Sequence, residues 1–305
     1  MGALPARFRR PRLLIVGCGD VGKRVLPWVR QRMQTMVMTR HADAMAFWRS
    51  RGVRPLYGDL DQPSSLRRFA GMATHVIYLA PPDAQGDDRD QRMRSWVQAL
   101  RRRTLPLQQV YVSTSGVYGD AQGRWVHERQ VPRAQSLRAK RRVDAERCLR
   151  ALSPQAAILR APGIYALDRE GGTPERRLRA GTPILRPQDD VYTNHIHADD
   201  LARACVLGLR RRAYGLTFNV SDDSDMTMGD YFRLAARLFD LPPPPEISRL
   251  QAQTQLSPQL LSFMSESRRL VNQGMKQHLG LSLRYPTVLE GLSAPIRTSK
   301  NRHHP

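Results

Sequence analysis

Three glycines near the start of the sequence have the spacing of a loop that binds phosphate groups. Gly17, Gly19 and Gly22 follow the apolar run Leu13–Val16, which is typical of a strand buried on both faces of a parallel sheet, and residues 23–32 have a helical pattern. In G-x-G-x-x-G the first glycine permits a tight turn, the second lets backbone approach a pyrophosphate, and the third lets the helix pack against the strand. A glycine-rich turn without a ligand is the alternative, but the helix N-terminus, with its free N–H groups, favours a dinucleotide site. The residues predicted to bind the dinucleotide here are Gly17, Cys18, Gly19, Asp20, Val21 and Gly22.

The end of the second predicted strand, residues 35–39, indicates which dinucleotide binds. An acidic residue about 20 positions beyond the glycines binds the ribose 2′-hydroxyl of NAD, whereas an arginine suits the 2′-phosphate of NADP. Thr39, Arg40 and His41 occupy this strand end, and no acid does. Arg40 therefore predicts NADP rather than NAD. In so arginine-rich a chain, a solvated Arg40 without a ligand is the alternative.

The elements that must position these residues alternate between strand and helix. Further strand patterns occur at 53–57, 74–79 and 109–113, and residues 89–103 have helical spacing, with Trp96 on the apolar face. Strands that alternate with long helices form βαβ units. The sequence predicts an α/β fold, a Rossmann-type doubly wound parallel sheet with a smaller C-terminal substrate-binding lobe.

Composition limits the classes of partner. The 305 residues carry a net charge of +22, only four of the 49 basic residues are lysines, and residues 1–150 account for +17 of the charge. Such a field attracts nucleic acid as well as an anionic cofactor. Aromatic residues make up only 7% of the chain and do not alternate with basic ones, as base stacking would require. We therefore expect a small-molecule substrate and no specific nucleic-acid partner; nothing in the sequence indicates the oligomeric state.

Features that direct a chain to a membrane or an oxidising compartment are not apparent. The apolar run behind the N-terminal arginines is too short for a signal peptide, and no stretch approaches the ~18–20 apolar residues of a membrane span. Cys18, Cys148 and Cys205 have no C-x-x-C spacing, so neither a zinc site nor a disulfide framework is indicated. The expected compartment is the cytoplasm.

Several later segments, taken in order, resemble one protein superfamily. The segments are YVSTSGVYGD at 111–120, ILRAPGIYALDR at 158–169, NHIHADDLARA at 194–204, FNVSDD at 218–223 and the stretch 265–292. They are similar to segments of the extended short-chain dehydrogenase/reductases, which include sugar-nucleotide epimerases and dehydratases. The resemblance spans nearly the whole chain. It implies an NADP-dependent oxidoreductase or epimerase-like enzyme that acts on a carbonyl or hydroxyl of a small molecule, with a nucleotide sugar as one candidate.

The resemblance also assigns roles to individual residues and segments. Thr114 takes the position of the superfamily's catalytic Ser/Thr. The domains implied are a nucleotide-binding domain at 12–165, to which 190–222 returns, a substrate-binding lobe at 166–189 and 223–295, and disordered tails at 1–11 and 296–305. The further residues implied to contact the cofactor are Asp59, Leu60, Ala80, Pro81, Ser113, Pro162, Gly163 and Ile164.

The sequence departs from the superfamily at its catalytic Tyr-x-x-x-Lys pair. Glu146 resembles the glutamate that lies four residues beyond the superfamily's lysine, and this spacing puts Arg138 at the tyrosine position and Arg142 at the lysine position. If Lys140 is instead taken as the lysine of the pair, Ser136 occupies the tyrosine position. Neither register contains the tyrosine that would donate a proton, and an arginine is a poor proton donor. The chain thus looks most like the subgroups of the superfamily called atypical. A catalytically silent NADP(H)-binding sensor is therefore the rival hypothesis.

Two other sets of polar side chains are candidates for the chemistry. Tyr118 is the nearest alternative hydroxyl in sequence, with His127 and Glu128 in the next loop, and packing is its alternative role. His195 and His197 alternate on a predicted strand and point the same way, as metal ligands can. No third and fourth ligands are identifiable, so no metal site is predicted. Asp199 is expected to cap the helix that follows.

Overall fold

A seven-stranded, wholly parallel sheet forms the centre of the computed structural model, which describes residues 10–210 and 213–294. The strand order is β12-β7-β5-β4-β1-β2-β3. This architecture confirms the predicted Rossmann-type fold. The expected disordered tails fall almost wholly outside the described residues. The strands of this sheet are β1 Arg12–Val16, β2 Gln34–Thr39, β3 Arg54–Tyr57, β4 His75–Tyr78, β5 Gln108–Thr114, β7 Ala157–Ala161 and β12 Thr217–Asn219.

Helices cover both faces of the sheet and connect its strands. The helix after the glycine loop begins at Asp20, three residues earlier than predicted, so that Gly22 lies within it. None of the helices in the described part of the chain combines the length and apolar composition of a membrane span. The α-helices are α1 Asp20–Val29, α2 Ala44–Ser50, α3 Pro63–Leu66, α4 Gln91–Leu100, α5 Leu137–Leu152, α6 Glu175–Arg179, α7 Ala198–Gly208, α8 Met228–Leu238, α9 Arg249–Gln255, α10 Pro258–Phe263 and α11 Val288–Ser293.

Alternation along the strands divides the sheet into two apolar faces. Leu13 and Ile15 point to one face, where α1 and α7 pack, whereas Leu14 and Val16 point to the other, against α4 and α5. Trp96 of α4 is fully buried on that second face, as predicted. Burial on both sides explains why β1 is apolar from Leu13 to Val16.

A smaller set of elements packs beside the carboxyl ends of the strands. Tyr165, Leu178, Tyr231 and Phe232 share a separate apolar core with α11. The division of the chain into two domains stays a prediction, although residues 275–281, assigned from sequence to the smaller lobe, pack in the core of the large sheet. The short strands form the pairs β6 Trp125–Val126 with β15 Arg269–Leu270, β8 Gly163–Tyr165 with β11 His195–His197, β9 Ile184–Leu185 with β14 Glu246–Ile247, and β10 Tyr192–Thr193 with β13 Met226–Thr227.

A buried guanidinium joins three separate parts of the chain. The Arg24 side chain, 5% exposed, donates from Nη1 to Asp199 and from Nη2 to Asp168, both at 2.6 Å, and its Nε lies 3.1 Å from Asp20. Burial of the guanidinium is outweighed by these carboxylates, which raise the pKa of Arg24. The prediction that Asp199 caps α7 is wrong. His197 is the N-cap instead, and its Nδ1 accepts from the Asp199 backbone N–H because the carboxylate is turned toward Arg24.

The glycine loop lies against the backbone that follows β4. Gly17 has φ +79°, and a β-carbon there would lie 2.5 Å from the Ala80 nitrogen. Gly17→Ala should therefore destabilise the fold by roughly 3 kcal/mol, combining the left-handed backbone cost with overpacking. Gly52→Ala is the matched control: φ is +69° there, but nothing lies within 4 Å of the added carbon. Urea unfolding of both variants measures the difference, and equal losses of stability would contradict the close approach.

Asp222 gives the fold a pH dependence. The residue is buried just beyond β12, accepts from the Ser224 backbone N–H at 3.0 Å, and burial raises its pKa to about 8. Because the unfolded carboxyl has its usual pKa near 3.8, folding takes up a proton between these values. Stability should then fall as pH rises from about 4 to about 8, by up to about 1.4 kcal/mol per pH unit.

Asp222→Asn should remove this dependence and become increasingly more stable than the wild type as pH rises. Denaturant unfolding at pH 4, 6 and 8 tests the trend. Asp223→Asn, at a half-exposed carboxylate that accepts from Lys276, should leave the slope in place. A wild-type slope retained in Asp222→Asn would refute the assignment.

Candidate active site

The predicted cofactor residues meet at one edge of the sheet. The carboxyl ends of the strands are in register there, with Val16 beside Met38 and Tyr78, and Thr114 beside Ala161. The glycine loop follows β1, Thr39 ends β2 and Ser113 lies in β5, while Asp59, Leu60, Ala80, Pro81 and Pro162 follow β3, β4 and β7 and Gly163 and Ile164 begin β8. Ligands of open α/β sheets bind at this edge.

The glycine loop has the shape that a pyrophosphate requires. Gly19 precedes the first turn of α1, and a β-carbon there would meet nothing within 4 Å, so the backbone faces open space. Gly22 packs against Cys18 and Leu79 with no room for a side chain. Burial raises the pKa of the Cys18 thiol to about 12, so this side chain is a packing group and not a reactive thiolate. The loop therefore fits a dinucleotide.

An acid in the first turn of α1 would repel that pyrophosphate if it were unpaired. Asp20 instead accepts from Arg169 at 2.9 Å as well as from Arg24. Partial burial of Asp20 is outweighed by these two guanidinium groups, which hold its pKa below the usual value. The paired carboxylate leaves the positive end of the helix dipole available to an anion.

Arg40 occupies the end of β2, where a 2′-phosphate would lie. Its side chain is 54% exposed, and its Nη1 is 3.7 Å from Asp61, a carboxylate that Arg92 holds in two shorter hydrogen bonds. Arg40 Nε also donates to His41 at 3.3 Å, and the Thr39 hydroxyl accepts from the His41 backbone N–H. The neighbours predicted for Arg40 are thus present.

A cavity of about 730 Å³ opens beside this edge. Thr114, at the end of β5, lies on its wall. Pro162, Gly163 and Ile164, which the resemblance implies contact the cofactor, lie there as well. The Thr114 hydroxyl accepts from the Gly116 backbone N–H at 3.2 Å, which orients it at the start of the 3-10 helix Ser115–Tyr118. The lining residues that bear on cofactor or substrate binding are Thr114, Arg138, Gly163, Arg177, His195 and Tyr231.

Tyr118 is not on the cavity wall, which argues against the catalytic role considered for it. The side chain is 1% exposed in an apolar core, its hydroxyl donates to Asn219 at 2.6 Å, and Arg160 donates to it at 3.0 Å. Burial raises the pKa of Tyr118 despite the nearby Arg160. Arg160 is in turn fixed by two hydrogen bonds that it donates to Glu146. Tyr118 is placed as a packing and network residue.

Arg138 and Arg142 occupy different environments although they lie one turn apart on α5. Arg138 lines the cavity, and burial followed by repulsion from Arg142 lowers its pKa. Arg142 is buried beneath it and donates to the Val112 carbonyl and the Tyr111 hydroxyl, both at 3.0 Å. Arg142, which spacing from Glu146 puts at a position of the superfamily's catalytic pair, therefore braces β5 and is not among the residues that line the cavity.

Three cavity residues were not predicted as substrate contacts. Arg177 of α6 lies 4.6 Å from the Phe232 ring centroid and has no carboxylate partner among the described residues. His195 stacks on Tyr231 with ring centroids 4.3 Å apart, and its buried Nδ1 has no hydrogen-bond partner in the described part of the chain. Burial lowers the pKa of His195 to about 3, so the ring is neutral. For Arg177 and Tyr231, the only signal in the sequence was that both lie in the predicted substrate-binding lobe.

The histidines do not form a metal centre in this arrangement. His197 caps α7 and stacks on Tyr285 at 3.7 Å, whereas His195 faces the cavity. Within residues 10–210 and 213–294, no cluster of three His, Cys, Asp or Glu side chains could hold a metal ion.

Known structures share this architecture. No protein-family model matches the chain, and no curated protein sequence does. A conserved protein of unknown function from Silicibacter pomeroyi is 29% identical, with a TM-score of 0.76 over 92% of this chain and 96% of that one. A proposed NAD-dependent epimerase/dehydratase from Methylobacillus flagellatus is 25% identical, with a TM-score of 0.71 over 93% and 96%. MoeE5, solved with UDP-glucose and NAD, is 19% identical, with a TM-score of 0.70 over 92% and 96%, and shares the fold.

In each comparison the similarity covers nearly the full length of both chains, so it includes the small lobe as well as the sheet. It agrees with the ordered motifs that first suggested the relationship. The chain thus shares the fold and the ordered motifs of the extended short-chain dehydrogenase/reductase superfamily.

Proposed function

We propose that this protein is an NADP-dependent oxidoreductase or epimerase-like enzyme that acts on a carbonyl or hydroxyl group of a small anionic molecule. The observation that carries the proposal is the position of the cavity, whose wall includes Thr114 and Pro162–Tyr165 at the same sheet edge as the glycine loop. A cofactor lying along that edge reaches the cavity with its far end. A bound nicotinamide supplies hydride transfer, and the chain's residues supply binding and orientation.

The choice of NADP rests on Arg40. The neighbours described with a dinucleotide are linked to NAD, but the exposed Arg40 follows β2 directly, and an arginine at that strand end suits a 2′-phosphate. A charge-assisted contact between them favours the phosphorylated cofactor. The fit of the glycine loop is shared by both cofactors, so Arg40 alone distinguishes them at this strand end.

Charge on the cavity wall indicates an anionic substrate. Arg138 and Arg177 have no carboxylate partner among the described residues, whereas Arg268 is paired with Glu266 at 2.7 Å. Guanidinium groups without counterions on a cavity wall favour binding of a phosphate or carboxylate. A nucleotide sugar, the class of ligand bound by MoeE5, has such a group. We expect no specific nucleic-acid partner, and we expect the protein to act in the cytoplasm.

Hydrogen-bonding groups in the cavity can hold the reacting oxygen. The Thr114 hydroxyl keeps a donor for the substrate, because its oxygen accepts from Gly116. The neutral His195 ring is the second candidate, since its buried Nδ1 has no partner in the described part of the chain. A neutral imidazole N–H polarises a carbonyl without itself giving up the proton.

A catalytically silent NADP(H) sensor is the second candidate function. One observation favours it: position 138 holds an arginine, and the nearby Tyr118 hydroxyl is buried between Arg160 and Asn219. No tyrosine therefore replaces the superfamily's proton donor at that place in the site. Turnover distinguishes a sensor from an enzyme, since both bind the cofactor.

NADPH should bind at least about ten times more tightly than NADH, because one arginine–phosphate contact contributes roughly 1.5–3 kcal/mol. Arg40→Ala should remove most of that preference and leave NADH affinity nearly unchanged. Fluorescence titration of both cofactors measures this. Equal affinities in the wild type would contradict the NADP assignment.

Thr114→Val should abolish reduction of carbonyl compounds by NADPH while leaving NADPH affinity within about twofold, because the change removes a hydroxyl at constant volume. Tyr118→Phe is the comparison: we expect a nearly unchanged rate and a stability loss of about 1–3 kcal/mol from its two broken hydrogen bonds. A panel of carbonyl substrates, including nucleotide sugars, provides the assay.

A wild-type rate retained in Thr114→Val would show that the reacting group lies elsewhere. Tight NADPH binding without turnover of any panel compound would favour the sensor over the enzyme.

A further inference from the structure

A carboxylate stands beside the arginine that is proposed to select NADP. Asp61, four residues after the end of β3, has its Oδ2 3.7 Å from Arg40 Nη1. Both side chains are about half exposed. An anion within a few ångströms of a 2′-phosphate repels it, and the same anion competes with the phosphate for Arg40. Asp61 therefore opposes the selection of NADP unless another group holds it.

Arg92 is that group. Its Nε donates to Asp61 Oδ1 at 2.7 Å and its Nη2 donates to Oδ2 at 2.6 Å, so a single guanidinium engages both carboxylate oxygens. The hydrogen bonds from Arg92 are the main reason that the pKa of Asp61 is lowered. Because Arg92 is bidentate and close, whereas Arg40 is a single contact at 3.7 Å, Asp61 is oriented toward Arg92.

The position of Arg92 is fixed by its surroundings. It lies in the first turn of α4, whose N-cap Asp90 accepts from the Met93 backbone N–H at 2.9 Å. Its Nη1 donates to the Pro81 carbonyl at 3.2 Å, and its side chain is only 20% exposed. Arg92 thereby joins the loops that follow β3 and β4 along the cofactor edge.

We propose that Arg92 is a specificity-determining positioning residue, which engages both carboxylate oxygens of Asp61 so that the Arg40 guanidinium is available to the 2′-phosphate of NADP. The inference rests on the proposed NADP dependence. It goes further in assigning the selection to three side chains, with Asp61 as an opposing charge and Arg92 as its counterion. Arg92 itself need not touch the cofactor.

A double-mutant cycle on the full chain tests this. The quantity measured is the ratio of the NADH to the NADPH dissociation constant, from fluorescence titration, because damage to the shared part of the site cancels in it. Arg92→Ala should lower the ratio about three- to tenfold, since Asp61 is then free to pair with Arg40 and to repel the phosphate. Asp61→Asn should keep or raise the wild-type ratio.

The double variant Arg92→Ala/Asp61→Asn is decisive. Because Arg92 acts through Asp61, removal of the carboxylate should restore the ratio to that of Asp61→Asn. Titration with 2′,5′-ADP and with 5′-AMP should give the same pattern and isolate the phosphate without the nicotinamide. Arg92→Lys, which keeps the charge and loses the two-pronged geometry, should give an intermediate ratio.

The chain contains a matched control two residues along the same helix. Arg94 makes an equivalent bidentate pair with Asp144, at 2.9 and 2.6 Å, away from the cofactor edge. Arg94→Ala should leave the ratio unchanged. NADH affinity close to that of the wild type in each variant confirms that the nucleotide cleft has formed.

Each other outcome overturns a definite statement. If the ratio of dissociation constants in the double variant is as low as in Arg92→Ala, Arg92 contacts the phosphate directly, which refutes the positioning role. A ratio in Arg92→Ala equal to that in Arg94→Ala would refute the inference while leaving Arg40 as the selector. A wild-type ratio near one would refute the proposed NADP dependence itself.

Discussion

The arrangement of the site depends on the Arg24 guanidinium. Through Asp20, Asp168 and Asp199 it connects the helix of the glycine loop, the loop that follows β8, and the start of α7. Removing one partner from such a buried network leaves charges uncompensated, which is far more costly than the loss of an exposed pair. The first turn of α1, the loop that follows β8 and the start of α7 are thus held together by one guanidinium.

The sequence predicted the fold more fully than the site. The apolar run of β1, the glycine spacing and the order of strands and helices were sufficient for the parallel sheet, because burial on both faces is visible in residue types alone. The start of α1 was misplaced by three residues because Gly22 is a weak helix former, although close packing against Cys18 requires a glycine there.

Side-chain environments at the site could not be read from spacing. Arg138 and Arg142 are four residues apart, so they share one face of α5. Only Arg138, in the first turn of the helix, lines the cavity, whereas Arg142 bonds to the backbone of β5. Tyr118 follows Thr114 by four residues, but the 3-10 helix between them turns its hydroxyl into the core. Arg177 and His195 come from segments distant in sequence, and only the packed lobe brings them to the same wall.

The cavity obtains its unpaired positive charge from guanidinium groups, with no lysine among the described lining residues. An arginine stays protonated at any pH that the folded protein experiences, whereas a lysine in a similar desolvated place can lose its proton. The charge presented to a ligand by Arg138 and Arg177 is therefore constant from mildly acidic to strongly alkaline solution. Neither arginine therefore adds a pH dependence of its own to ligand binding, and a phosphate monoester would meet the same positive charge at these two positions before and after its second dissociation near neutrality.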